Sequence, residues 1–215
     1  MWSPHIPVLH AILDVDVAAR AGWTPVDLAR AYLDGGAPLL QVRAKHLASG
    51  PLLDLCDEIV ELAVRYDAGV IVNDRADLAR MCRAAGVHVG QDDLPPAAAR
   101  AAVGPDAIVG FSTHSIDQAT AACAEPITYV AVGPVFGTTT KDTGYNAVGL
   151  ELVAAVVRRC DPHPVVAIGG VTLENAMSVF EAGARGVAVI SDLLTGGNPA
   201  PRVAAYLRRI GSRAC

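Results

Sequence analysis

The chain has 215 residues, a formal net charge of −5 and 52% apolar residues, which fits one sizeable domain with an ample core. No apolar run approaches the roughly 18 residues that a membrane span needs, and no basic region followed by an apolar run opens the chain. We therefore expect neither a membrane anchor nor a signal peptide. Because no basic cluster could follow a nucleic-acid backbone, we expect no nucleic-acid partner, and any anionic ligand must be held by local donors or a metal ion.

The five cysteines are odd in number and widely scattered, with no CxxC pair and no metal-ligand spacing. This usage favours a reducing cytoplasm. Four cysteines fall in or beside predicted helices, where we expect small buried hydrophobes rather than reactive thiols. They are Cys56, Cys82, Cys123 and Cys160.

Short apolar runs alternate with segments of helical spacing along the whole chain. The predicted strands cover residues 7–13, 38–43, 69–73, 87–90, 107–111, 129–132, 164–170 and 186–191. The predicted helices cover residues 24–34, 51–66, 75–85, 95–103, 116–124, 150–159, 173–182 and 202–210. Strands that are apolar on both faces and alternate with helices indicate a parallel sheet covered by helices. Eight such units favour an α/β fold, a closed (β/α)8 TIM barrel, as a single domain over residues 1–215.

In such a barrel the active site lies at the carboxyl ends of the strands, so the polar residues there are the candidates. The second strand ends with Gln41 and Arg43, and Lys45 follows on the same side of an extended chain. A solvated cationic strand end is one interpretation. An arginine directly after buried leucines is costly without a purpose, however, which favours a role in binding an anion.

Acidic residues follow the third and fourth strands. Asn73 and Asp74 end the third strand and Asp93 follows the fourth, although each aspartate could instead cap the next helix. Carboxylates that face a phosphate-binding loop would repel the ligand unless a divalent cation lay between them. Mg²⁺ takes one or two carboxylates together with substrate phosphate oxygens and waters. We therefore predict Asp74 and Asp93 as Mg²⁺ ligands.

Two histidines and a serine lie in or just after the fourth and fifth strands. Ser112 is a candidate phosphate donor at the end of the fifth strand. His114, just beyond it, is either a general acid/base or a structural histidine at a helix start. His88 lies inside the fourth strand and is expected to be a satisfied core histidine rather than a ligand.

The segment after the sixth strand is suited to phosphate or pyrophosphate. It combines small residues with Thr138, Thr140 and Lys141, which offer amide and hydroxyl donors and one cation. An ordinary solvated turn is the alternative, because the segment has neither of the two common nucleotide-loop spacings.

The seventh and eighth strands end at a second potential phosphate site. Gly170 follows the seventh strand, and Ile190 and Ser191 end the eighth. A phosphate site formed by these two loops recurs across TIM barrels. Two anion sites, one of them metal-assisted, suggest two phosphorylated small-molecule reactants and a group transfer.

Seven motifs, in this order and spacing, resemble the thiamine phosphate synthase family along nearly the whole chain. They are QVRAK, VNDRADLA, GVHVGQDDLP, GFSTHS, VAVGPVFGTTTK, VAIGGVTLENA and GARGVAVIS. The resemblance implies a Mg²⁺-dependent transferase of thiamine biosynthesis on a (β/α)8 barrel. It would join 4-amino-2-methyl-5-(diphosphooxymethyl)pyrimidine to 4-methyl-5-(2-phosphooxyethyl)thiazole and release pyrophosphate by a dissociative route. It also implies a cytoplasmic homodimer.

The resemblance also implies a role for each matching residue. The pyrimidine diphosphate would be held by Gln41, Arg43, Lys45, Asn73, Ser112 and Lys141. Of these, Arg43, Lys45, Ser112 and Lys141 would act in catalysis. Asp74 and Asp93 would bind Mg²⁺. The thiazole phosphate would be held by Gly170, Ile190 and Ser191, and Thr138 and Thr140 would contact it or the leaving pyrophosphate.

The thiazole tautomerases, isomerases on the same barrel, are the alternative, with His114 as their acid/base. A tautomerase needs neither a metal pair nor a diphosphate clamp, and this chain retains the residues for both. A non-catalytic phosphate sensor would be expected to have lost some of them. Tyr145 is a bulky addition to the loop over residues 137–146, which leaves the contribution of that loop to closure open.

Overall fold

The computed structural model describes residues 6–137 and 146–211. Within these residues, parallel strands form a closed barrel in which each strand pairs with the next in sequence and the last pairs with the first. The strands are β1 (Leu9–Asp14), β2 (Leu39–Arg43), β3 (Gly69–Asn73), β4 (Gly86–Val89), β5 (Ile108–Thr113), β6 (Tyr129–Val132), β7 (Val165–Ile168) and β8 (Gly186–Val189). This order confirms the predicted TIM barrel.

Helices connect the strands around the outside of the barrel. They are α1 (Val15–Arg20), α2 (Pro25–Asp34), α3 (Ser49–Val64), α4 (Ala76–Met81), α5 (Pro96–Val103), α6 (Ile116–Ala122), α7 (Gly149–Cys160), α8 (Ala176–Glu181) and α9 (Pro199–Gly211), with a 3₁₀ helix at Ser191–Leu194. None of the helices in the described part of the chain combines the length and apolar character that a membrane crossing requires.

The short helix α1 and the 3₁₀ helix are absent from the sequence prediction. Helix α1 follows β1 without an intervening loop, because Asp14 ends the strand and also caps the helix by accepting the Val17 N–H at 3.0 Å. Helix α4 ends four residues earlier than predicted. Beyond it Arg83 has a positive φ of 56°, which is incompatible with a continuing helix.

The strands separate two apolar layers. Along β2, Leu40 and Val42 pack in the layer between the sheet and the helices. Leu39, on the opposite face, packs inside the barrel with Ile71 and Ile108. Because side chains alternate along a strand, Gln41 and Arg43 share the interior face with Leu39. The interior is therefore mostly apolar at its base, with His10 as a buried exception, and polar toward the carboxyl ends of the strands.

The side chain of Tyr129, in the barrel interior, lies across the neighbouring strand β5. Tyr129 of β6 is the register partner of Gly110 on β5. A Cβ atom added at Gly110 would lie 2.2 Å from the Tyr129 Cζ atom and 2.3 Å from its hydroxyl oxygen. The phenol ring therefore occupies the space that a side chain at Gly110 would take.

The expectation for two of the cysteines is wrong. Cys123, directly after α6, and Cys160, at the end of α7, form a disulfide with their Cα atoms 5.7 Å apart. The ends of these two packed helices meet, a proximity that a separation of 37 residues does not reveal. Cys56 and Cys82 are buried free thiols, as expected.

The packing at Gly110 predicts that Gly110→Ala destabilises the fold. Its methyl group would force the Tyr129 ring or strand β5 to move, and overpacking of this kind costs about 1–3 kcal/mol. Gly50→Ala in α3 is the matched control, because an added Cβ meets nothing within 4 Å. Urea unfolding followed by circular dichroism should show a lower midpoint for Gly110→Ala alone. Equal midpoints for both variants would contradict the close approach of Tyr129 to β5.

Candidate active site

The carboxyl ends of the parallel strands meet at one end of the barrel, here called the mouth. It is formed by the strand ends and the segments that directly follow them. The described residues predicted for the site all lie there, namely Gln41, Arg43, Lys45, Asn73, Asp74, Asp93, Ser112, Gly170, Ile190 and Ser191. Thr138, Thr140, Lys141 and Tyr145 lie outside the described residues. The roles assigned to all these residues stay predictions.

The two cations predicted on and after β2 are each paired with a carboxylate at the end of a neighbouring strand. Arg43 Nη1 forms an ion pair with Asp14 Oδ2, and the two residues are register partners at the ends of β1 and β2. Lys45 Nζ lies 2.6 Å from Asp74 Oδ2, beyond the end of β3. Asp14 is buried, which strengthens its attraction for the guanidinium and fixes Arg43 in place.

Asp14 is a residue that the sequence analysis missed. The signal that could have found it was available, because it directly follows the first predicted strand and the polar residues after the other strands had been chosen by that rule. Its buried carboxylate has two partners, the guanidinium of Arg43 and the N–H of Val17. The carboxylate thus joins the end of β1 to β2 and to the start of α1.

Asp74 and Asp93 come together at the mouth. Asp74 adopts a left-handed backbone conformation with φ of 65°, and its N–H donates to the His88 carbonyl at 2.7 Å. Burial raises the pKa of the Asp74 carboxyl, Lys45 opposes this effect, and the neighbouring Asp93 carboxyl raises the pKa further. Asp93 Oδ2 accepts the Gly90 N–H at 2.8 Å, which anchors the second carboxyl on the loop after β4.

This pair has the donor chemistry that Mg²⁺ prefers. Two adjacent carboxyls repel each other when both are ionised, and a divalent cation between them would remove that repulsion. No group of three or more His, Cys, Asp or Glu side chains with metal-site geometry occurs among the described residues. Mg²⁺ commonly takes one or two carboxylates and completes its shell with phosphate oxygens and waters, so the pair fits this ion.

The polar residues on β2 to β5 surround this acidic pair. Gln41 is buried on the interior face of β2, and Asn73 ends β3 beside Asp74. Ser112 lies on β5, where its Oγ atom is 2.8 Å from His88 Nε2. Gln91 reaches the same residue and donates to the Ser112 carbonyl at 2.6 Å. The expectation that His88 is a buried and satisfied histidine is confirmed.

His114 lies just beyond β5 and contacts the segment after β6. Its Nδ1 atom is 2.5 Å from the Gly133 carbonyl oxygen, and its backbone N–H donates to Gln118 Oε1 at 2.7 Å. These contacts tie the start of α6 to the segment that begins at Gly133. They favour the structural interpretation of His114 over that of an acid/base.

On the far side of the mouth, backbone atoms form much of the described surface at the end of β7. Gly170 has a positive φ of 63°, and a Cβ atom there would lie 2.6 Å from the Gly137 carbonyl oxygen. The Val135 N–H donates to the Ile168 carbonyl at 2.8 Å, and the Phe136 N–H to the Gly169 carbonyl at 3.0 Å. Only glycine permits the segment after β6 to pack this closely on the end of β7.

Asp192 fixes the loop after β8 against its neighbours. Its carboxylate accepts the Leu173 N–H at 3.1 Å, the Tyr206 hydroxyl at 2.5 Å and the Arg202 guanidinium at 2.9 Å. Ile190 and Ser191 directly precede it. Asp192 thus holds the loops after β7 and β8 in one arrangement with α9. The sequence analysis missed this residue as well.

The fold and the mouth define a (β/α)8-barrel enzyme. Its mouth has a charged half, at the ends of β1 to β5, and a backbone-lined half, at the ends of β7 and β8. The two halves face each other across the barrel. The thiamine monophosphate synthase family matches residues 13–193 of the chain. The thiamine-phosphate synthase of Chlorobium luteolum is 41% identical over 93% of this chain and 91% of its own length. That of Koribacter versatilis is 41% identical over 96% of this chain and 97% of its own.

A solved structure agrees with these relatives. The thiamine phosphate pyrophosphorylase from Pyrococcus furiosus superimposes with a TM-score of 0.85 at 29% identity, covering 95% of both chains. The chain belongs to the thiamine monophosphate synthase family. The family resemblance that the seven motifs carry is therefore confirmed.

The pKa of Asp74 predicts how stability depends on pH. A carboxyl whose pKa is raised by folding binds its proton more tightly in the folded state, so folding stability falls as pH rises above the usual value of 3.8. Asp74→Asn does not titrate and tolerates the left-handed backbone. In metal-free buffer at neutral pH, this variant should melt at a higher temperature than the parent, and the difference should vanish at acid pH.

Asp77→Asn is the matched control on the same stretch of chain. Arg75 lowers the pKa of the Asp77 carboxyl, so this group stabilises the fold above its usual pKa and the stability is lost as pH falls. Asp77→Asn should therefore melt slightly lower than the parent at neutral pH. If Asp74→Asn also melted at a lower temperature than the parent, folding would not disfavour the ionised form of the Asp74 carboxyl, and the prediction would be wrong.

Proposed function

We propose that this chain is a thiamine-phosphate synthase. It transfers the pyrimidinylmethyl group from its diphosphate to the nitrogen of the thiazole phosphate. The bond between the methylene carbon and the diphosphate oxygen breaks, and its electron pair leaves with the diphosphate. The thiazole nitrogen then forms the new bond with its lone pair. The observation that carries the proposal is the convergence of Asp74 and Asp93 beside Lys45 at the mouth of a barrel of this family.

The charged half of the mouth would bind the pyrimidine diphosphate. Arg43 and Lys45 are held there by ion pairs, and Ser112 adds a hydroxyl close to the acidic pair's strand ends. Gln41, Asn73 and Lys141 would complete this set. Cations fixed before the substrate arrives stabilise the charge that develops on the departing diphosphate, and they need no reorganisation during the reaction. A dissociative route requires no protein nucleophile.

Asp74 and Asp93 would hold Mg²⁺ against the diphosphate. When bound, the ion would supply positive charge that offsets the negative charge growing on the leaving group. Lys45 contacts Asp74 at 2.6 Å, so its ammonium group lies where the diphosphate oxygens and the acidic pair would meet. It would shift from the carboxylate toward the diphosphate when the ion takes its place.

The backbone-lined half would bind the thiazole phosphate. Gly170, Ile190 and Ser191 lie at the ends of β7 and β8, across the barrel from Asp74 and Asp93 after β3 and β4. Thr138 and Thr140 would add donors from the segment after β6. Two anchors on opposite sides would direct the thiazole nitrogen toward the methylene carbon between them, and such positioning supplies much of the rate enhancement.

The comparisons do not favour the thiazole tautomerase alternative. The hydrogen bond between His114 and the Gly133 carbonyl also gives that histidine a structural role. We further propose a homodimer in the cytoplasm, acting in thiamine biosynthesis on phosphorylated small molecules, as the family resemblance implies.

The proposal predicts which variants stop the coupling reaction. With both phosphorylated substrates and Mg²⁺, the parent should form thiamine phosphate and pyrophosphate, and a chelator should stop it. Asp74→Asn and Asp93→Asn should each lower turnover by at least about a hundredfold, because a lost transition-state charge contact is worth several kcal/mol. His114→Asn should retain most of the activity. Both products are measured by chromatography.

The reverse pattern would favour the tautomerase. Thiazole isomerisation in metal-free buffer, lost in His114→Asn and kept in both aspartate variants, would overturn the synthase proposal. Binding gives a second readout that does not depend on turnover. Mg²⁺ with pyrophosphate should raise the melting temperature of the parent, and should raise that of Asp74→Asn far less.

Asp14 gives a prediction about positioning. Asparagine can still cap α1, but it cannot pair with the Arg43 guanidinium as a charge. We expect Asp14→Asn to lower kcat/KM by about tenfold, because an arginine without a fixed partner binds the diphosphate in the wrong orientation. Asp16→Asn, two residues away and about half exposed, is the control and should match the parent. Equal kinetics for both variants would show that Arg43 does not depend on Asp14.

A further inference from the structure

A chain of polar groups runs from the interior of the barrel to the mouth through three neighbouring strands. The Tyr129 hydroxyl on β6 lies 2.8 Å from His88 Nδ1 on β4, and His88 Nε2 lies 2.8 Å from Ser112 Oγ on β5. The rings of Tyr129 and His88 also stack, with their centroids 5.7 Å apart. Tyr129 and His88 are buried, and Ser112 is the partly exposed member, near the carboxyl end of β5.

The strands are built to allow this chain. Gly110 is the register partner of both His88 and Tyr129, so it lies between them at the same level of the barrel. Any side chain at Gly110 would collide with the phenol ring. Burying a tyrosine and a histidine is costly unless their polar atoms are bonded, and the surrounding interior positions carry isoleucine, alanine and valine. The polar chain is thus a specific arrangement in an interior that is largely apolar apart from His10 and Gln41.

The hydrogen bonds define which atom carries each proton. Burial raises the pKa of Tyr129, so its phenol keeps its proton. His10 packs edge-on against the phenol ring, and burial lowers the pKa of its imidazole to about 4, so this neighbour is uncharged. A phenol that keeps its proton can donate it to His88 Nδ1, which lies within hydrogen-bond distance of its oxygen. With Nδ1 as acceptor, the Nε2 atom of His88 carries a proton and donates to Ser112 Oγ.

We infer that His88 and Tyr129 are positioning residues that orient the Ser112 hydroxyl as a hydrogen-bond donor toward the substrate diphosphate. This inference rests on the proposed function. Ser112 Oγ accepts a hydrogen bond from within the barrel, so its own proton is directed to the mouth. A phosphoryl oxygen of the substrate would then meet the O–H donor of Ser112 rather than a lone pair of its oxygen. The orientation is set before binding, which is how fixed dipoles stabilise a developing charge.

A double-mutant cycle between Tyr129 and Ser112 tests the inference. Tyr129→Phe removes the hydroxyl and retains the ring over Gly110. We expect it to lower kcat by about three- to tenfold, the range for one net hydrogen bond, and to leave the KM for the thiazole phosphate unchanged. In the Ser112→Ala background the same substitution should have no further effect on kcat. Tyr66→Phe, which removes a surface hydroxyl bonded to Asp34, is the control and should match the parent.

Substitutions of His88 give a second route if Tyr129→Phe folds poorly. His88→Gln can still donate to Ser112 Oγ from its amide nitrogen, whereas His88→Met cannot. We expect His88→Gln to retain most of the turnover and His88→Met to match Ser112→Ala. A purely structural role would make both variants equally impaired. An equal loss from Tyr129→Phe with and without Ser112 would also overturn the inference.

The tautomer of His88 can be measured without any activity. In ¹⁵N-histidine-labelled protein, with the His88 signals assigned by their absence in His88→Gln, we expect the proton on Nε2 and an unprotonated Nδ1. A proton on Nδ1 would overturn the inference even if thiamine phosphate is formed. If the parent forms no thiamine phosphate but His88 carries its proton on Nε2, the proposed function is wrong while the hydrogen-bond chain is confirmed. The proposed role of the Ser112 hydroxyl toward a diphosphate would then be wrong together with the function.

Discussion

Ion pairs between neighbouring strand ends fix the charges of this barrel mouth. Parallel strands in register bring Asp14 beside Arg43, and the turn after β3 brings Asp74 to Lys45. A chain with a net charge of −5 does not attract anions by its overall electrostatic field. Any phosphate ligand must instead be held by cations placed at the site. Pairing keeps those cations in position, but it also cancels much of their charge. A bound divalent ion at Asp74 and Asp93 would restore the positive balance, which is why the site's electrostatics fit a metal-assisted reaction.

Much of this arrangement follows from local sequence pattern. Strands β3 and β6 begin and end as predicted, because each is an apolar run bounded by glycine, proline, asparagine or threonine. Once a parallel barrel is inferred, every strand's carboxyl end must lie at the same mouth. The convergence of Asp74 and Asp93 is then expected, since they follow adjacent strands. Neither inference needs knowledge of which side chains touch.

The features that could not be predicted depend on contacts between distant positions. Cys123 meets Cys160 because two helix ends pack together, and neither cysteine carries a local signal of that contact. Tyr129 contacts His88 because Gly110, on the intervening strand β5, has no side chain to block the phenol ring. Asp192 joins three elements with a single carboxylate. In each case the sequence supplies the residue types, and only the packed barrel determines which of them meet.

The two halves of the mouth would bind the proposed anions by different physical means, and the free-energy costs of building them differ accordingly. The half on β1 to β5 uses side chains, so it must bury Asp14, hold Asp74 in a left-handed conformation and carry a tyrosine and a histidine in an apolar interior. The half at β7 and β8 uses glycines, whose cost is mainly conformational entropy. A reacting diphosphate gains negative charge as it leaves, whereas the phosphate of the acceptor keeps its charge throughout. Charged and pre-oriented side chains help most where charge changes, which supports the proposal that the costly half binds the leaving group.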